Sequence, residues 1–312
     1  MSTKSHPIEQ SSLYRLSTKK KLASLLQVNL PTLLMLARGD NYRTFTIRNE
    51  SGKERIVEEP LGNLKQLQSR LHKLLQRIQP PPYLHSGVKG RSYVSNAREH
   101  LGGGRVLKTD VAKFYPSTTH HQVFIGFLRE FRCAGDVAKL LADLCTYQGH
   151  VPTGSPVSML IAYFTHKQAF DNLYTRMLAK HITLTVYVDD ITLSGVNVIR
   201  WHFCPIKKTF QSLGLTIHKK RFFRNGPASI TGVIVNNNQL HLPNRRHQRI
   251  VQGIRSLASA TTEPERHRIA SKLNGQISEA SNVDERCHAR AVGYKRLIKE
   301  LLAKAAQSST PA

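Results

Sequence analysis

Apolar residues recur along this chain with two periods, one near 3.6 and one of 2, so the sequence predicts a mixed α+β protein. "LKQLQSRLHKLLQRI" places Leu64, Leu67, Leu71, Leu74, Leu75 and Ile78 on one helical face, with Lys65, Arg70, Lys73 and Arg77 largely elsewhere. Leu13 to Arg38 has helical spacing interrupted by a proline and reads as two short helices. Tyr42 to Pro60 alternates Tyr42, Thr44 and Thr46, turns at Ser51-Gly52 and resumes at Ile56-Val57, a β-hairpin pattern. Val106 to Val111 reads as a strand leaving a glycine turn, and helices are expected at 135–147 and 158–180 around the turn "GHVPTGSPVS". Ile182 to Val188 and Ile191 to Gly195 pair as a second hairpin, and "SLGLTIHKKRFF" and "ASITGVIVNNNQLHL" supply further short strands. From Asn244 the pattern turns helical and ends in a polar tail. The predicted organisation is a helical cap over 1–40, a mixed core over 41–240 and a helical region over 241–312.

Composition narrows the partner. Forty-six Lys and Arg against 20 Asp and Glu leave a formal charge of +26 and a pI near 10.3, which calls for a polyanion, nucleic acid first. The basic residues are spread over the whole length, and no run approaches the roughly 20 apolar residues of a spanning helix, so no membrane role is expected. Cys133, Cys145, Cys204 and Cys287 lack the paired spacing of a zinc site, and a reducing cytoplasm suits them. The pairs His202/Cys204 and Cys287/His288 read as packing or surface residues.

"TVYVDDITLSG" sets Asp189 and Asp190 at the tip of the second hairpin. Asp is a common turn former, so the pair alone carries little. A third carboxylate, Asp110, ends another apolar strand, and strand ends packed side by side would bring the three together. Converging carboxylates repel unless a cation neutralises them, and Mg²⁺ takes a few carboxylates plus substrate phosphates. Two such ions about 3.5 to 4 Å apart serve in-line displacement at phosphorus. With the charge of the chain, this points to a metal-dependent enzyme acting on nucleic acid, with polymerase and nuclease both open. Lys89-Gly90-Arg91-Ser92 reads equally as a phosphate-approaching loop or a plain turn.

In their order along the chain, these motifs resemble the reverse transcriptases of the bacterial retron type, over roughly residues 13 to 300. "YVDD" resembles the family's YxDD motif and "VLKTDVAKFYPS" its motif A. The resemblance implies that Asp110, Asp189 and Asp190 are catalytic and, with the Val111 carbonyl, hold two Mg²⁺ ions. It further implies that Arg55 in "GKERIVEEP" contacts the incoming triphosphate and that Tyr115 is the steric gate against a ribose 2′-OH. Gly154 lies in "VPTGSPVS", similar to the motif that supports template and incoming base, where Thr153 stands in place of the usual Gln. Lys219 or Lys220 in "GLTIHKK" falls at the position of a triphosphate-proximal Lys.

"NAREH" (Asn96, Ala97, His100) and "ITG" (Ile230, Thr231, Gly232) resemble the retron NAxxH and VTG motifs and are expected at the RNA. The implied architecture is a right hand, with fingers and palm to about residue 240 and a helical thumb, and no maturase, endonuclease or RNase H domain. The implied activity is DNA synthesis from dNTPs on a cognate structured non-coding RNA, primed from a guanosine 2′-OH. Its product is branched RNA-linked single-stranded DNA (msDNA), used in anti-phage defence with an effector protein encoded nearby. Two alternatives are a scaffold whose main role is to hold msDNA and effector inactive, and another bacterial reverse transcriptase of group II type.

Overall fold

A computed structural model describes residues 5–307 except residues 39, 49–51, 53, 225 and 237, so Ser51 of the expected turn and most of the polar tail lie outside the described residues. α1 (Lys19–Leu26) starts where Thr18 Oγ1 accepts the Lys21 N–H, and α2 (Leu30–Arg38) carries its proline in the first turn, where no N–H is lost. The two helices bury Leu22, Leu26, Leu33 and Leu36 in the main core. β1 (Tyr42–Arg48) and β2 (Glu54–Pro60) form a separate antiparallel hairpin, Tyr42 opposite Pro60 and Arg48 opposite Glu54. α3 (Gly62–Leu75) turns its leucine stripe inward, together with the fully buried Gln68.

α4 (Tyr93–Arg98) precedes β3 (Arg105–Val111), followed by α5 (Phe114–Ser117), α6 (His120–Glu130), α7 (Gly135–Cys145) and the long α8 (Ser158–Leu178). β4 (Thr183–Tyr187) and β5 (Asp190–Gly195) come next, then α9 (Phe203–Gln211) and β6 (Ile217–Phe223). These strands make one antiparallel sheet in the order β4-β5-β3-β6. Its two faces differ in chemistry because side chains alternate. Leu107, Leu184, Val186, Ile191 and Leu193 face the main core with α8, while Lys108, Asp110, Thr185, Tyr187, Asp190, Thr192 and Ser194 share the other face.

A smaller sheet, β7 (Ala228–Ile230), β8 (Val233–Asn236) and β9 (Gln239–His241), leads into α10 (Asn244–Ser259), α11 (Glu263–Val283) and α12 (Glu285–Gln307). Ile230, Val233, Leu240, Ile250, Leu273, Ile277 and Ile298 belong to one second core, so β7 to β9 pack with the C-terminal helices and the change of core falls near residue 228. Residues 19–38 share the main core with the region that follows them.

Helices α4, α6 and α9 were not expected from the pattern. α6 is rich in aromatic and β-branched residues, yet its start carries a readable signal: Thr119 and Gln122 cap each other's backbone N–H groups. Ser92 and Ser95 do the same for α4. Among the described residues no helix is long and apolar enough to cross a membrane.

Candidate active site

The site is built where β3 and β5 run antiparallel. Their register puts Asp110 directly opposite Asp190, and the Val111 N–H donates to the Asp189 carbonyl at 3.0 Å, so the strand end and the hairpin tip are tied together. Tyr187 and Asp190 are themselves paired, leaving Val188 and Asp189 as a two-residue turn. Val188 takes φ +59, a left-handed conformation that a β-branched residue adopts only under constraint. The constraint is visible: Ser86 Oγ accepts the Val188 N–H at 2.9 Å, while Val186 N–H donates to the Tyr83 carbonyl and His85 N–H to the Val186 carbonyl. The 83–86 segment thus seals the β4 edge and fixes the turn that aims Asp189.

Burial raises the proton affinity of Asp189, and the neighbouring Asp190 and Asp110 charges raise it further, against a backbone hydrogen bond and Arg55. Two basic side chains that the motifs do not single out, a lysine and a histidine, adjoin the other acids. Lys108 Nζ lies 3.2 Å from Asp190 Oδ2, and His218 Nδ1 lies 3.8 Å from Asp110 Oδ2. Lys108 was legible by period 2, because a residue two positions before Asp110 must share its face.

Tyr115 stands beside the acids on α5, its phenol pushed up to about 12 by burial and by Asp189, with Arg55 acting in the opposite sense. Arg55 itself is exposed on β2. The 150–154 turn docks along β2: Gly154 N–H donates to the Glu58 carbonyl at 3.1 Å, and a Cβ on Gly154 would sit 2.7 Å from that oxygen. His150 Nε2 lies 3.0 Å from the Glu58 carboxylate. Thr153 Oγ1 donates to the Ile56 carbonyl at 2.9 Å and accepts the Glu58 N–H at 3.3 Å. β6 bulges by one residue between Arg221 and His218, with Lys219 at φ +49 and Lys220 Nζ 4.9 Å from the Phe203 ring. Lys219 occupies the bulge, and Lys220, exposed like its neighbour, lies over the Phe203 ring.

The two short motifs meet each other. Asn96 Nδ2 donates to Thr231 Oγ1 at 3.4 Å, and Thr231 Oγ1 donates to the Tyr93 carbonyl at 2.8 Å. His100, 1% exposed, bridges Ser194 Oγ and Thr185 Oγ1 at 2.7 Å each, clamping β4 to β5. Asn96, Ala97, His100 and Ile230 are all buried, so they present α4 and the β7–β8 turn rather than their own side chains, while Thr231 and Gly232 are half-buried.

The donor set suits a hard dication: two carboxylates paired on the polar face and a third in the adjoining turn, the third held at raised proton affinity by burial and by the others' charge. Asp110, Asp189 and Asp190 are the residues that would hold it, with the Val111 carbonyl adjoining. A tighter cluster, His247, Asp284 and Cys287, has ligand-type atoms within 4.8 Å of one another. It does not fit a metal, because both Asp284 oxygens are already filled. Oδ1 accepts from Arg286 N and Nε, and Oδ2 accepts from Leu242 N and Arg286 Nη2, the pattern of a cap on α12.

No family model matches the chain. It is 26% identical over 280 residues to the Retron Se72 reverse transcriptase of Salmonella heidelberg, spanning 84% of this chain and 73% of that protein. It is 24% identical over 280 residues to the Retron Ec86 reverse transcriptase of Escherichia coli, with 87% and 86% covered. The Retron Mx65 reverse transcriptase of Myxococcus xanthus is 31% identical over 222 residues, 63% of this chain and 51% of that one. Among solved structures, telomerase from Candida albicans in complex with a fragment of telomeric RNA aligns at TM-score 0.46 and 9% identity, covering 86% of this chain and 62% of that one, too slight a likeness to argue from.

Proposed function

We propose, on the premise that this chain belongs to the retron reverse transcriptases and is an RNA-directed DNA polymerase, that it copies a cognate structured non-coding RNA into DNA, priming from a 2′-OH of that RNA. The observation that carries the catalytic assignment is the pairing of Asp110 with Asp190 beside the constrained Val188-Asp189 turn. Bound there, Mg²⁺ supplies charge neutralisation and activation of the attacking hydroxyl, with pyrophosphate as the leaving group. Asp110, Asp189 and Asp190, with the Val111 carbonyl, would hold the ions. Asp190, engaged by Lys108, also tunes the field around them.

On the nucleotide side, the Tyr115 ring lies under the incoming sugar and rejects a 2′-OH, Arg55 grips the triphosphate from the flap, and Gly154 lets the 150–154 turn approach β2. Lys219, in the β6 bulge, is the member of its pair that reaches the triphosphate. The β1–β2 hairpin and neighbouring helices are fingers, the β4-β5-β3-β6 sheet is the palm and α10 to α12 are the thumb. The charge of +26 suits gripping a duplex through its phosphates. The branched msDNA product stays bound in the cytoplasm and, with an effector protein, serves anti-phage defence.

Sequencing the nucleic acid that co-purifies with the protein tests this reading. A branched RNA-DNA species is expected, and linear cellular RNA alone would contradict it.

A further inference from the structure

Thr153 stands where the family's template-supporting motif usually has Gln, so its role does not come with the resemblance. Its surroundings do supply one. β2 pairs with β1 along one edge and, at Ile56 and Glu58, offers a carbonyl and an N–H along the other. An adjoining strand would fill those two groups with its own N–H and carbonyl. A hydroxyl can do both at once, because it donates and accepts. Thr153 Oγ1 does so, at 2.9 Å to the Ile56 oxygen and 3.3 Å from the Glu58 nitrogen.

The contact does not stand alone. Gly154 N–H donates to the Glu58 carbonyl, Thr153 N–H lies 3.4 Å from Glu58 Oε2, and His150 reaches the same carboxylate. Behind the turn, Ser155 Oγ donates to Gln68 Oε1, and Gln68 Nε2 donates to the Leu144 carbonyl and the Tyr42 hydroxyl, anchoring turn and hairpin to α3 and α7. The locked stretch begins one residue after Arg55, whose charge is felt at both Asp189 and Tyr115.

We infer that Thr153 is a positioning residue: its hydroxyl latches the β1–β2 flap to the 150–154 turn and so sets Arg55 over the nucleotide site before a nucleotide arrives. The side chain at this position is spent inside the protein rather than on template or base. Pre-setting a cation in this way lowers the ordering cost of binding, so its loss falls on nucleotide affinity. The inference rests on the polymerase reading above.

The test is steady-state dNTP incorporation by Thr153→Val, Thr153→Ser, Arg55→Ala and Arg55→Ala/Thr153→Val in the full chain with its RNA. Thr153→Val is expected to raise KM for dNTP about tenfold, the scale of two lost hydrogen bonds, with kcat within about twofold. Thr153→Ser keeps the hydroxyl and should stay near wild type, and in the Arg55→Ala background Thr153→Val should add little. A wild-type KM in Thr153→Val, or an equal rise with and without Arg55, would overturn the inference. Hydrogen exchange over residues 54–60 reads the latch without catalysis: Thr153→Val should exchange faster and Thr153→Ser as wild type, and unchanged exchange in Thr153→Val refutes the latch. If the wild-type protein incorporates no dNTP, the polymerase reading fails, and the exchange result alone decides on the latch.

Discussion

Lys108 Nζ approaches Asp190 Oδ2 to 3.2 Å across the β3–β5 pair, with the two side chains 19% and 27% exposed. The second carboxylate of the hairpin therefore carries a counter-cation in direct contact, whereas at Asp189 burial outweighs the backbone hydrogen bond and the charge of Arg55. Lys108→Met should lower kcat about tenfold, the scale of a sheltered charge-assisted contact, and leave KM for dNTP near wild type. Lys108→Arg should restore most of the rate. Equal activity of Lys108→Met and wild type would remove Lys108 from the site.

Asp189→Asn separates stability from catalysis. A carboxylate whose folded proton affinity is raised opposes folding once pH exceeds that raised value, because the unfolded chain ionises more readily. At pH 7 in metal-free buffer, Asp189→Asn should therefore melt higher than wild type while losing DNA synthesis. A lower melting temperature would mean that the carboxylate makes stabilising contacts instead.

Three buried histidines set an acid limb. Burial holds His85 down to about 4, His100 to about 3 and His166 to about 4, with Arg91, His85 and Arg129 respectively adding to the effect. The unfolded chain takes up these protons near pH 6.5, so stability present above that value is lost as pH falls below it. The loss runs at up to about 1.4 kcal/mol per pH unit for each histidine until the folded forms also protonate. Urea unfolding at pH 7 and pH 5 checks this, and His100→Gln should reduce the slope by about one proton.

Gly154→Ala tests the close approach of turn and flap. The added Cβ would meet the Glu58 oxygen at 2.7 Å and Val57 Cγ1 at 2.9 Å, backbone on one side and a half-buried side chain on the other. A destabilisation of about 1–3 kcal/mol and a clear rise in KM for dNTP are expected. Thermal melting and incorporation kinetics read the two effects separately.

Much of this was legible in the sequence, for identifiable reasons. The hairpin around Asp189 and Asp190 announces itself by period 2, the strand of Asp110 by its apolar start after a glycine turn, and α3 by its leucine stripe. Helices α4, α6 and α9 were not expected, although the Ser92/Ser95 and Thr119/Gln122 reciprocal caps mark the starts of the first two and Phe203, Ile206 and Phe210 recur at helical spacing in the third. His218 beside Asp110 depends on a β6 bulge that moves the register by one residue, a tertiary event that strand propensity does not encode. The meeting of Asn96 with Thr231, 135 positions apart, likewise comes from packing α4 on the second sheet. Thr153 could be seen as a departure from the family pattern, but its partners on β2 could not.

The most direct test is DNA synthesis by purified protein on its co-expressed RNA with Mg²⁺ and labelled dNTPs, comparing wild type with Asp110→Asn and Asp189→Asn. Labelled DNA that remains attached to RNA in the wild type and is lost in both variants, each still folded and RNA-bound, is the predicted result. Full synthesis by either variant, or none by the wild type, would contradict the assignment of Asp110 and Asp189 as the catalytic acids of an RNA-directed DNA polymerase.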